Sequence, residues 1–137
     1  MGKPRIFISF AKEDLHFRDL LVGQALHSKT PFDFEDMSLA EPFDSSWKTR
    51  CRKKIADCHG LIALLSKNTW KATGARWEMK CAAEEHVPSI GIHIYKNNKG
   101  ARPPELKGRI IEWRWASIAA FIQKVDSKRS FWDKLFS

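Results

Sequence analysis

Within Ala75-Arg76-Trp77-Glu78-Met79-Lys80, one carboxylate sits at the opening of a helix-forming stretch that follows an apolar strand. A lone carboxylate suits one kind of chemistry. It can hold hydroxyl groups and stabilise the positive charge that develops on a sugar carbon as a glycosidic bond breaks. If the leaving group is already cationic, no general acid is needed and Glu78 suffices. About one turn into its helix, the amide dipoles also favour its negative charge.

The segments that must position this residue alternate between strand and helix patterns. Arg5 to Phe10 is a compact apolar strand, and Asp14 to Ser28 carries Leu15, Leu20, Leu21, Ala25 and Leu26 at helical spacing. Phe32 to Met37 alternates apolar with acidic residues, as a half-exposed edge strand does. The loop Ser38 to Ser46 follows, with Ser45 or Ser46 as helix cap for a segment through Trp47, Cys51, Ile55 and Cys58. Gly60 to Leu65 reads as a buried strand, Ala75 to Glu85 as a helix, and Pro88 to Tyr95 as a fourth strand. Lys96 to Gly108 is a long loop. Ile110 to Trp113 is a short fifth strand, and Ala116 to Val125 a last amphipathic helix. This alternation predicts an α/β fold with an open parallel sheet and helices on both faces. Such sheets bind ligands at the carboxyl ends of their strands, which directs attention to Ser9, Phe10 and Ala11, to the loop Ser38 to Ser46, to Ser66 onward and to His93.

Composition and missing motifs narrow the chemistry. The 137 residues suit one domain, and no apolar run approaches the ~20 residues needed to span a bilayer, so a soluble, cytoplasmic chain without membrane contact is expected. Cys51, Cys58 and Cys81 have neither disulfide-framework nor zinc spacing and read as small buried side chains. No metal is expected, because the five histidines show no ligand spacing. The net charge of +8 is spread along the chain, which fits a solvated basic surface better than a nucleic-acid footprint. A basic rim can also attract an anionic nucleotide. Neither G-x-G-x-x-G nor G-x-x-x-x-G-K-[ST] occurs, nor does a G-x-S-x-G elbow. A phosphoacceptor aspartate should end the third strand, where Ser66 and Lys67 stand instead.

Taken in order, Arg5-Ile-Phe-Ile-Ser-Phe-Ala-Lys-Glu-Asp14 with Phe17-Arg18, Ala63-Leu-Leu-Ser-Lys-Asn-Thr69, Arg76-Trp-Glu-Met-Lys80, Ile90-Gly-Ile-His-Ile94 and Ile111-Glu-Trp113 resemble a TIR-like domain. The resemblance is to the ThsB type of the bacterial Thoeris antiphage system and runs from Arg5 to about Val125. It implies a flavodoxin-like five-stranded fold over residues 1–126, with 127–137 as a C-terminal tail. It also implies NAD as substrate rather than cofactor, cleaved at the nicotinamide ribosyl bond. The product would be a cyclic or conjugated ADP-ribose signal for a downstream effector, released on a phage-derived trigger. Glu78 falls on the family's catalytic glutamate, Ser9, Phe10 and Ala11 on the turn lining the nucleotide cleft, and Leu39 to Ser46 on the loop over it. Phe43 and Ser45 of that loop, with Trp47 and Trp77, complete the expected substrate-binding set.

Bland readings stand beside these. Phe10, Trp47 and Trp77 are also natural core aromatics, and His93 reads as a hydrogen-bonded core histidine. The chain as a whole also admits a non-enzymatic interaction module, the other role of TIR domains. Phe131 to Phe136 is too apolar for a free tail and is expected to dock on the domain or to mediate self-association.

Overall fold

The computed structural model describes residues 2–37 and 43–136. Its five strands are β1 (Arg5–Ser9), β2 (Asp33–Glu35), β3 (Gly60–Leu65), β4 (Ser89–His93) and β5 (Arg109–Glu112). They form one all-parallel sheet in the order β2-β1-β3-β4-β5, the flavodoxin-like winding. The connecting helices are α1 (Leu15–His27), α2 (Ser45–Ala56), α3 (Thr73–Glu84) and α4 (Trp115–Phe136).

The pleat divides the core in two. Phe7, Leu61, Ala63 and Leu65 point to the face covered by α2 and α3, where Cys51, Ile55, Met79 and Cys81 meet them. Ile6, Ile8, Ile62, Leu64, Ile90 and Ile92 point the other way, onto Leu21 and Ala25 of α1 and Ile118, Ile122 and Val125 of α4. Every residue of β3 is buried, as a central parallel strand demands. All three cysteines are free and buried. Gly91 of β4 leaves room for the loop before β5, since an added Cβ would stand 2.8 Å from both Leu106 Cδ2 and Leu65 Cδ1.

Several local expectations shift. β2 covers only Asp33–Glu35, because Phe32 and Met37 turn inward and enter opposite halves of the core. The cap of α2 is Asp44 rather than Ser45 or Ser46; its carboxylate accepts from the Trp47 amide at 2.8 Å. In α1, Leu21 and Ala25 face the sheet, whereas Leu15, Leu20 and Leu26 lie on the outer side. α3 starts two residues earlier than expected, so Glu78 is its sixth residue.

The largest departure is at the carboxyl end. No break occurs near residue 126, and α4 continues unbroken to Phe136. Arg129 anchors this extension by donating to the Gly2 carbonyl at 2.9 Å and pairing with Asp126 and Asp133. Phe131, Trp132, Leu135 and Phe136 remain exposed on the chain, with the Trp132 and Phe136 rings stacked at 5.3 Å. Much of each side chain is left open, and an exposed aromatic cluster of this size is suited to association with another surface. Replacing Trp132 and Phe136 together by Ser should leave the melting temperature within about 2 °C of the parent, since neither ring fills a core site. The same variant should lose concentration-dependent association in sedimentation. A marked fall in melting temperature would instead show that these rings dock on the domain.

Candidate active site

The sheet order reverses between β1 and β3, and the crevice this opens is held by a buried polar network. Asp14, 1% exposed, accepts from Ser66 Oγ at 2.6 Å and from Asn68 Nδ2 at 3.1 Å. Ser66 Oγ in turn accepts the Asn68 amide, and the Ser66 amide donates to Thr69 Oγ1. The segment after β1 is thereby tied to the segment after β3. Gly100, at φ +79°, lies against the same place, where an added Cβ would stand 2.5 Å from the Ser66 carbonyl oxygen.

Beside this network opens a cleft of about 340 Å³. Phe10 and Ala11 line it from the end of β1, Met37 from the end of β2, Phe43 and Trp47 from the start of α2, and Ala75 and Glu78 from α3. Lys12, Glu13, Asn68 and Lys71 complete its polar part. Phe10 is both core and lining: it is 7% exposed and Arg18 lies over its ring at 5.7 Å. Trp47 packs on Gly74 at the start of α3 and meets Phe43 edge to face at 5.0 Å.

Not all of the expected residues gather here. Ser9 lies beneath the cleft, fully buried, its hydroxyl donating to the Ala75 carbonyl at 3.1 Å. Ser45 is exposed at the start of α2 and lines no part of the cleft, because Asp44 has taken the capping position. Trp77 is half-buried: it packs against the α2–α3 half of the core with Nε1 unpartnered among the described residues, and it lines an adjoining groove rather than the cleft. Of the loop Leu39 to Ser46, residues 39–42 lie outside the described residues. His93 is half-buried away from the cleft with Nδ1 unpartnered among the described residues, and burial lowers its pKa. Lys12, Asn68, Lys71 and the Asp14 network escaped sequence reasoning, although the polar run Ser66 to Gly74 marked their region.

Glu78 is 6% exposed, and burial pushes its pKa up to about 8. A hydrogen bond from Ser9 pulls the other way, and the negative charge of Asp36 adds to the rise. The dipole of α3 does not hold the carboxylate ionised, because its influence fades beyond the first turn and desolvation outweighs it. One hydroxyl proton cannot serve both the Ala75 carbonyl and the Glu78 carboxylate. When Glu78 is protonated, the chain Glu78 O–H to Ser9 Oγ–H to Ala75 carbonyl satisfies every member. Ionisation requires Ser9 to turn. Burial thus favours the protonated form of Glu78. No group of three or more His, Cys, Asp or Glu suited to a metal occurs among the described residues.

Because the folded-state pKa of Glu78 lies above its ordinary value of 4.5, the proton stabilises the folded protein fully below that value. That stabilisation is lost as pH rises from 4.5 through about 8. Glu78→Gln removes the titration, so above pH 8 the variant should be more stable than the parent by up to ~5 kcal/mol. Denaturant unfolding at several pH values should show the difference shrinking toward pH 4.5. A difference that is constant across that range would mean that Glu78 titrates normally.

The family model for the Thoeris protein ThsB, TIR-like domain, matches residues 7–99. That span holds β3, β4 and every residue lining the cleft, and begins within β1. None of the curated proteins compared matches the chain. The sheet order agrees with a TIR-like fold, and the chain belongs to the ThsB TIR-like family of the Thoeris antiphage defence system.

Proposed function

We propose that this protein cleaves NAD at the nicotinamide ribosyl bond, with Glu78 as the catalytic residue, and converts the ADP-ribosyl group into a cyclic or conjugated signal nucleotide. One observation carries the reading: a buried carboxylate with no ion-pair partner among the described residues, lining a cleft at the switch point of the sheet.

The chemistry follows from that burial. The positively charged nicotinamide ring, on entering the cleft, favours the ionised form of Glu78 and lowers its pKa. Ser9 then turns its proton from the Ala75 carbonyl to the carboxylate. As the C1′–N bond breaks, its electron pair passes to the ring nitrogen and nicotinamide leaves neutral. The positive charge that this leaves on the ribose faces Glu78, in a site where little water weakens the attraction. Phe10 and Trp47 supply apolar walls for the ring, and Lys12 and Lys71 draw the anionic nucleotide toward the rim. Phe43 stands between the cleft and solvent, held by the Trp47 edge and by Lys48 Nζ 4.8 Å from its ring centre. Keeping water out prolongs the ribosyl cation and lets a nucleophile other than water capture it.

In this reading the protein is cytoplasmic, a phage-derived component triggers it, and the nucleotide reaches a separate effector by diffusion. No helix among the described residues is long and apolar enough to cross a membrane. The exposed aromatic end of α4 serves self-association in the active form, and the same surface is what favours the competing reading, a non-enzymatic interaction module.

Purified protein incubated with NAD should release nicotinamide, and folded Glu78→Gln should be slower by at least two orders of magnitude, ~3 kcal/mol for one lost electrostatic stabiliser. Since the free enzyme must ionise Glu78, kcat/KM should rise with pH and level off above about 8. Full activity in Glu78→Gln would remove the assignment and leave the interaction module standing. Phe43→Ala should admit water and shift the product toward linear ADP-ribose, read by mass spectrometry. An activated parent that makes only linear ADP-ribose would end the signalling proposal while sparing cleavage.

A further inference from the structure

Trp77 and Glu78 are adjacent in α3 but serve opposite sides of the cleft wall. On the outer side lies a second groove of about 310 Å³, which shares Phe43 and Thr73 with the cleft. Its electrostatics are unusual. Three cations crowd the Trp77 ring: Lys48 Nζ at 5.0 Å, Lys80 Nζ at 5.3 Å and the Arg52 guanidinium at 5.4 Å from its centre. Arg52 is neutralised by Glu84 and Glu85 at 2.7 and 3.1 Å. Lys48 and Lys80 have no ion-pair partner among the described residues. Both ammonium groups line the same groove around one ring, and an anion bound there offsets the cost of gathering two positive charges.

The cleft supplies the second half of the argument. Its 340 Å³ lies at the low end of the ~300–1,000 Å³ range of small-molecule sites, enough for one nucleoside half of a dinucleotide. The shared residues Phe43 and Thr73 join the cleft to the outer groove, where the other half would meet Lys48 and Lys80. We infer that the outer groove receives the adenylate half of a pyrophosphate-bridged dinucleotide, with Lys48 and Lys80, carried on Trp77, as its phosphate-binding pair. This rests on the cleft being the site of ribosyl cleavage. It gives Trp77 a role as a positioning residue for two lysines, without contact with the reacting atoms.

The test is calorimetric titration of ADP into the parent and into Lys48→Ala/Lys80→Ala, both surface changes whose folding a melting curve verifies. The double variant should bind ADP about tenfold more weakly, equivalent to losing one good charge-assisted contact. Its residual binding should depend less on salt, and in NAD cleavage the loss should fall on KM rather than kcat. Equal ADP affinity in the two proteins overturns the groove assignment, whether or not NAD is cleaved. Conversely, lysine-dependent ADP binding by a parent that leaves NAD intact upholds the groove and removes the cleavage reading alone.

Discussion

Two buried carboxylates, one fully paired and one not, set the character of this molecule. Asp14 spends both oxygens on Ser66 and Asn68 and so fixes the two diverging chain segments at the switch point. Its charge is fully used by the fold. Glu78, a few residues into α3, has only the shared hydroxyl of Ser9 to answer its charge. The first ties together two segments that border the cleft, and the second lies in the cleft wall where burial makes ionisation costly.

The aromatic residues around the cleft divide by depth rather than by type. Phe10 and Trp47 are at most 7% exposed and contribute to the core while presenting an edge to the cleft. Phe43 and the half-buried Trp77 stand farther out, with Lys48 over the first ring and Lys48 and Lys80 over the second. The cleft thus combines an apolar interior with a cationic outer margin. The positive margin also accounts for part of the chain's +8 charge without invoking nucleic acid.

The exposed end of α4 lies outside the span that carries the family match. Its aromatics are ordered by helix continuation and by Arg129, which pins the preceding turn to the carbonyl of Gly2. A surface so built shares no residue with the cleft.

Much of this was legible in the residues. The apolar runs at Arg5, Gly60 and Ser89 and the helical patterns between them determined a parallel α/β sheet, because period and length of apolar patterning are local properties of the chain. Glu78 stood out for the same reason, as a carboxylate in a crossover helix. Local patterning could not show that Ser45 yields its cap to Asp44, that Leu20 and Leu26 face outward, or that α4 runs through residue 126 to Phe136. Nor could it separate Trp77 from Glu78, adjacent in sequence and assigned by the winding of α3 to different grooves. The pairing of Asp14 with Ser66 joins residues 52 positions apart. The pKa of Glu78 depends on everything that excludes water around it. Sequence determined which groups are present and which elements carry them; tertiary structure alone decided which charges are paired and which are desolvated, because both depend on distances between segments that only the folded chain brings together.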